Sequence, residues 1–327
     1  MNKNVLFNTA CGSHNMGDYI IYDSIKRELN DIVKNDFLVE YATHTPVSHW
    51  YQNTSKNPVY KYCQEAQYKF VAGTNILQYH MMRPWANWNI NIFNCKPYRN
   101  SILVGAGINP NRPSMDAYTK HLYKKILSPD YIHSARDERT KEMLESLGFR
   151  AINTGCATTW MLTKQHCAKM PTKKASNVIF TLTDYAKDPV NDQLLIDTLL
   201  DNYDKVSYWV QGAEDFAYLN SLEHTDRLTI VPPHLSAYRH VLTSGNVDYI
   251  GTRLHAGIFA MQNLVRSVII SIDNRTRDMK ESYCLNTIER QDIKNLPDLI
   301  HSNITTKINL KENNIKAWKE QFLAESN

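Results

Sequence analysis

Two rhythms of apolar and polar positions alternate along the chain. Short runs rich in Val, Ile, Leu and aromatic residues recur, each followed by a longer stretch in which apolar residues return every third or fourth position. The first kind predicts a buried strand and the second an amphipathic helix. In the N-terminal half, residues 5–7, 37–39, 70–74, 102–104, 131–134 and 151–153 read as strands or as strands entering a turn. Ile20, Ile21, Ile25, Leu29 and Ile32 make the stripe of a first helix, and further helices are predicted over 59–68, 115–126 and 138–147, the last stopped by Gly148. Residues 163–176 break the periodicity with Lys164, Lys169, Pro171, Lys173 and Lys174. Beyond them the rhythm restarts, with strands at 178–182, 205–210, 228–231, 247–250 and 268–270 and helices at 192–200, 213–222, 234–242 and after Gly251. Strands alternating with helices imply parallel sheets with right-handed crossovers, hence an α/β fold. The expected organisation is a domain over 1–165, a linker at 166–176, a second domain over 177–308 and a C-terminal helix within 309–327 that carries Ile315, Trp318 and Phe322 on one face.

Composition narrows the class. The chain has 327 residues, 43% hydrophobic and 21% charged, which suits two globular domains. A net charge of +4, with Lys and Arg scattered, argues against a nucleic-acid surface and is compatible with a small anionic substrate. Six cysteines lie far apart with no Cys-x-x-Cys pair, so neither a zinc ribbon nor a disulfide framework is indicated. No His-x-His or His-Glu-x-x-His spacing suggests a metal site, and no cofactor is expected. The first residues lack the apolar core of a signal peptide, and no run approaches the roughly 18 apolar residues of a membrane span. The expected location is the cytoplasm, with the inner face of a membrane as an alternative seat.

The chemistry concentrates at residues 247–273, read as strand, tight turn at Gly251, helix and strand. Thr252 is a candidate cap, and Arg253 and His255 then fall in the first helical turn, where unpaired N–H groups and the helix dipole favour an anion. The dipole contributes about 0.3–1 kcal/mol, whereas a charge-assisted hydrogen bond from Arg253 contributes roughly 1.5–3 kcal/mol. On that basis Arg253 decides the affinity, and His255 is the nearby group that titrates around neutrality. In an open parallel sheet this turn lies at the carboxyl ends of the strands, where ligands bind. An earlier loop, Asn15-Met16-Gly17-Asp18, occupies the same kind of position after the first strand, with Asp18 either a helix cap or a functional carboxylate. Gly105 and Gly107 are too few for a dinucleotide fingerprint and indicate close backbone approach. The aromatics from Tyr79 to Tyr98, among them Trp85, Trp88 and Phe93, either form a sugar-stacking lid or pack a long connection onto its domain.

Four segments together resemble the polysaccharide pyruvyl transferase family over essentially the whole chain. They are Asn15–Asp18, Val104–Gly107, Ser134–Glu138 with Leu144–Gly148, and Gly251–Ala256, the last being the most specific. The resemblance implies two Rossmann-like domains facing a cleft, as in GT-B enzymes. It also implies transfer of the enolpyruvyl group of phosphoenolpyruvate, a co-substrate, onto two hydroxyls of a saccharide as a cyclic ketal, in a cell-envelope or exopolysaccharide setting with a free or lipid-linked acceptor. Residue by residue, it assigns His255 as acid, Asp18 as base, Arg253, Leu254 and Arg136 to the donor, and Asn15, Gly17 and Asp18 to the acceptor. Where members often carry a lysine downstream, this chain has Arg275 as the substitute donor contact. It also departs from the family pattern at Ala72-Gly73-Thr74 and Gly155-Cys156-Ala157, which bear on the acceptor more than the donor. A nucleotide-sugar glycosyltransferase and a non-catalytic carbohydrate-binding member of the fold are the alternatives.

Overall fold

The computed structural model describes residues 1–82, 87–109, 114–273 and 283–323. The chain divides into two compact units, one built from Met1–Ser13, Ile21–Trp160 and Lys311–Asn327, the other from His14–Ile20 and Met161–Leu310. The segment 166–176, expected as a linker, lies within the second unit, and the C-terminal segment belongs to the first.

In the first unit, β1 (Lys3–Asn8), β2 (Phe37–Ala42), β3 (Tyr68–Ala72) and β4 (Ser101–Val104) form a parallel sheet in the order β2-β1-β3-β4. A parallel pair, β5 (His133–Ala135) and β6 (Ala151–Asn153), continues it through a bridge between Ala106 and Ala135. Helices α1 (Met16–Val33), α2 (Pro58–Glu65), α3 (Ala117–Ile126) and α4 (Glu138–Ser146) alternate with these strands. Side chains from both faces of the central strands, such as Val5 and Leu6 or Phe70 and Val71, are fully buried. Their unbroken apolar runs are what a sheet covered on both sides requires. Trp88 and Tyr98 are also fully buried, with the Tyr98 ring 4.8 Å from that of Phe7, so they pack the long connection onto its unit and form no lid. Phe93 is exposed, and Trp85 lies outside the described residues.

The second unit contains α5 (Lys164–Cys167), β7 (Asn177–Thr181), α6 (Pro189–Asn202), β8 (Lys205–Trp209), α7 (Asp215–Leu219), β9 (Thr229–Val231) and α8 (Leu235–Thr243). It continues with β10 (Val247–Gly251), α9 (Leu254–Gln262), β11 (Ser267–Ser271), β12 (Thr287–Glu289) and α10 (Leu296–His301). All six strands are parallel, ordered β12-β11-β10-β7-β8-β9. The chain winds outward one way from β7 and the other way from β10, so the topological switch point lies between these two strands. That crevice, at their carboxyl ends, is where doubly wound sheets receive ligands. Every residue of α9 is buried, which explains why its sequence lacks a polar face. The predicted helix at 213–222 shrinks to α7, because Gly212, Ala213 and Glu214 form a turn around the Asp215 carboxylate, which accepts the Gly212 N–H at 2.6 Å. Finally α11 (Glu312–Leu323) returns to the first unit, where Trp318 and Phe322 are fully buried against Phe70, with Trp160 and Tyr131 beside them.

Candidate active site

The end of β10 is tied to the end of β7. Thr252 N–H donates to the Thr181 carbonyl at 3.1 Å, Arg253 N–H to Thr181 Oγ1 at 3.3 Å, and the Thr252 and Thr183 hydroxyls lie 2.8 Å apart. Thr252 is therefore a cross-strand clamp and not the cap. Arg253 occupies the N-cap position in an extended conformation without a capping side-chain bond, and α9 begins at Leu254. The first backbone bond of the helix runs from Gly257 N–H to the Arg253 carbonyl, which also accepts from Tyr249 Oη at 2.8 Å. His255 is the second helical residue and is 9% exposed.

The Arg253 side chain differs from the solvent-facing anion contact that its position suggests. It is 4% exposed and already compensated. Nε donates to the Leu182 carbonyl at 3.1 Å, while Nη2 donates to Asp184 Oδ1 at 2.7 Å and, in a very short contact, to Asp215 Oδ1. The exposed ring of Tyr185 lies 5.0 Å from the guanidinium carbon. Among the described residues no hydrogen bond from Nη1 accompanies these contacts. Burial pushes the Asp215 carboxyl up from the ordinary carboxylate range, with Arg253 pulling against it. For Arg253 itself, burial disfavours the cation, and the attraction of Asp215 more than offsets this, leaving its pKa above the ordinary value. The room for this arrangement comes from Gly212, where a Cβ would lie 2.5 Å from Arg253 Nη2 and 3.2 Å from the Asp215 carboxyl carbon.

The same short segment holds the N-terminal motif. Asn15 bridges to Gly212, Met16 N–H donates to the Gln211 carbonyl at 2.9 Å, and Gln211 Nε2 donates to Asn15 Oδ1 at 2.9 Å. Asn15 Oδ1 also accepts the Gly17 N–H at 2.9 Å, which makes Asn15 the residue that caps α1. Asp18, read from sequence as cap or base, is the third helical residue and half-buried, with its N–H donating to the Asn15 carbonyl at 3.1 Å. Two motifs that the sequence separates by more than two hundred positions thus meet at the Gln211–Gly212 backbone.

Arg136 stands in the first unit, just past the carboxyl end of β5. Its N–H donates to the Ala106 carbonyl at 2.8 Å, and Nη2 donates to Asn75 Oδ1 at 2.5 Å. Asp137 is farther, at 3.6 Å, because its carboxylate caps α4 through Thr140 N–H at 2.8 Å. A Cβ on Gly107 would lie 2.6 Å from Arg136 Nη2, which gives the Gly105-Ala106-Gly107 turn its physical reason. Each unit therefore lays an arginine across a glycine beyond a strand's carboxyl end. Arg275 lies outside the described residues. Sequence reasoning missed Asp184, Asp215, Gln211 and Asn75. Three of them follow closely on the ends of β7, β8 and β3, a placement that could have marked them, but single Asp and Asn residues after strands carry no distinctive spacing.

Two doubly wound parallel sheets with polar clusters at their carboxyl ends define an α/β protein of two Rossmann-like units. The fold is shared with the UDP-GlcNAc 2-epimerase of Methanocaldococcus jannaschii, in complex with UDP-GlcNAc and UDP, at a TM-score of 0.52 and 11% identity over 100% of both chains. It is likewise shared with S. aureus MnaA in its UDP co-structure, at 0.51 and 10% identity over 100% of this chain and 97% of that one. No curated protein matches the sequence. The family described as polysaccharide pyruvyl transferase matches residues 15–274, and the chain belongs to this family of transferases.

Proposed function

We propose that the protein transfers the enolpyruvyl group of phosphoenolpyruvate to two hydroxyls of a saccharide, forming a pyruvate ketal and releasing phosphate. The observation that carries this reading is the Arg253-Leu254-His255 segment at the switch point between β7 and β10, with Arg253 at the N-cap of α9 and, among the described residues, no hydrogen bond from its Nη1. Phosphoenolpyruvate presents a phosphate and a carboxylate close together, matched by a guanidinium edge and a helix N-terminus. In the reaction His255 donates a proton to the methylene carbon, and the positive charge developing at the adjacent carbon is quenched by a sugar hydroxyl. Phosphate departs with its bridging oxygen, and the second hydroxyl closes the ketal. Asp18 serves as base for the hydroxyl, and a bound multivalent anion favours the imidazolium form that His255 needs. Asn15 and Gly17 contact the acceptor, Leu254 joins Arg253 on the donor, Arg136 in the first unit is a second candidate anion contact, and Arg275 stands in for the family's lysine. The acceptor is a cell-envelope or exopolysaccharide precursor, free or lipid-linked, and the reaction takes place in the cytoplasm or at the inner face of the membrane. Among the described residues, no helix is long and apolar enough to cross a membrane.

A nucleotide-sugar reading draws its support from the two solved structures of like fold, both of which hold UDP. Calorimetric titration with phosphoenolpyruvate, UDP and GDP separates the two. Saturable phosphoenolpyruvate binding that is lost in Arg253→Ala supports pyruvyl transfer, whereas nucleotide binding alone moves the assignment to a glycosyltransferase.

A further inference from the structure

Arg253 is more than nine-tenths buried and carries one positive charge against two carboxylates, Asp215 and Asp184. The local sum before any ligand arrives is negative. An anion placed beside Nη1 would therefore meet a guanidinium whose charge is already committed, and would stand close to two like charges. The two carboxylates differ in ways that decide which can yield. Asp215 is fully buried and accepts the Gly212 N–H at 2.6 Å and the Asp184 N–H at 3.1 Å besides its contact with Arg253. Removing it from Arg253 would break the turn that holds Gly212 and, through Gly212, the Asn15 loop. The Asp184 side chain is 23% exposed, and among the described residues its one side-chain hydrogen bond is the 2.7 Å contact with Arg253 Nη2. It sits in a short 3-10 turn over Asp184–Ala186 directly after Thr183, beside the exposed Tyr185 ring that covers the guanidinium.

We infer that Asp215 is the positioning residue that fixes Arg253, and that Asp184 is an intramolecular competitor which the anionic donor displaces from Arg253 on binding. Asp184 thereby sets the threshold for donor occupancy, and Asp215 keeps the guanidinium aimed while the exchange takes place. The wild-type protein holds its donor more weakly than its arginine would allow. In return, the empty site keeps its buried cation paired. The inference rests on the proposed function only for the identity of the anion; the exchange itself requires a small multivalent anion of phosphate or carboxylate type.

The test compares wild type with Asp184→Asn, which removes the charge and keeps the shape, and with Asp184→Glu, which restores it. Calorimetric titrations use phosphoenolpyruvate and, separately, inorganic phosphate, with thermal melts to show that each variant is folded. Asp184→Asn should bind roughly three- to tenfold more tightly, as expected for release of one partly exposed ion pair, and Asp184→Glu should return affinity towards the wild-type value. Under turnover, KM for the donor should fall in Asp184→Asn with kcat changed far less, a split that general damage to the turn would not give. Unchanged or weaker anion affinity in a folded Asp184→Asn protein overturns the inference, as does failure of both anions to bind either protein. If Asp184→Asn does not fold, the wild-type complex with inorganic phosphate decides: Asp184 beyond 4 Å from Arg253 supports the exchange, and retention of the 2.7 Å contact overturns it. Tighter phosphate binding in Asp184→Asn without any binding of phosphoenolpyruvate would sustain the exchange and remove the pyruvyl transferase reading.

Discussion

Asp215 has no exposed surface and holds its carboxylate against a guanidinium that is itself 4% exposed. Breaking such a buried pair from one side leaves an uncompensated charge and costs about 3–5 kcal/mol. Asp215→Ala should therefore lower the denaturant midpoint by that equivalent, whereas a Lys141→Ala change, in an ion pair with more exposed partners, should cost less than about 1 kcal/mol. If His255 is the proton donor, His255→Ala should reduce turnover by about 10²–10⁴ with donor binding largely retained; weakened binding at near-normal turnover would reassign the residue. Asp18 separates in the same way, because Asn15 already provides the cap. Asp18→Asn should depress turnover with little loss of stability if the carboxylate is the base.

At the scale of elements, β5 attaches to the first sheet through a neutral histidine. His133 Nδ1 accepts the Leu103 N–H at 3.2 Å, and Nε2 lies 3.0 Å from the Ser128 carbonyl, so the ring joins β4 to β5 as a single tautomer. Burial lowers its pKa from 6.5 to about 4. Because the folded value lies below the unfolded one, the unfolded chain binds the extra proton. Stability is then full above about pH 6.5 and declines as the pH falls towards 4, by roughly 3 kcal/mol for this group. Melts between pH 7 and 4 should show the slope, and His133→Gln should flatten it.

This element also shows what the sequence could reveal. Runs such as Ile102–Val104 and Val247–Ile250 declared strands because a sheet covered on both faces needs unbroken apolar side chains. The Gly251–Ala256 segment was legible as strand, turn and helix from its apolar pattern and its glycine. Arg253 and His255 stood out through their place at a strand end and the family resemblance, since either residue alone is commonly a solvated or structural side chain. The partners of Arg253 were not legible, since Asp184 and Asp215 reach it only through the neighbouring positions of β7, β8 and β10 in the sheet. Strand order is a long-range property that periodicity does not encode. The β12 strand, only Thr287–Glu289, was too short to show any period.

For the molecule as a whole, the first unit is completed by the last helix. Trp318 and Phe322 of α11 fill the aromatic cluster around Tyr68, Phe70 and Trp160. Trp318→Ala should cost about 3–5 kcal/mol, read as a lower melting temperature, although the residue is far along the chain from every candidate site segment. The central claim of the proposed function is that phosphoenolpyruvate binds at the carboxyl end of β10, a reading supported by the family match over residues 15–274 and by the place of Arg253 at the switch point of the second sheet. The most direct test is a crystal structure of the wild-type protein with phosphoenolpyruvate. The ligand should lie against the Arg253 guanidinium and the first turn of α9, with its methylene carbon facing His255. Phosphoenolpyruvate bound elsewhere in the protein, with the Arg253 cluster unchanged, would contradict it.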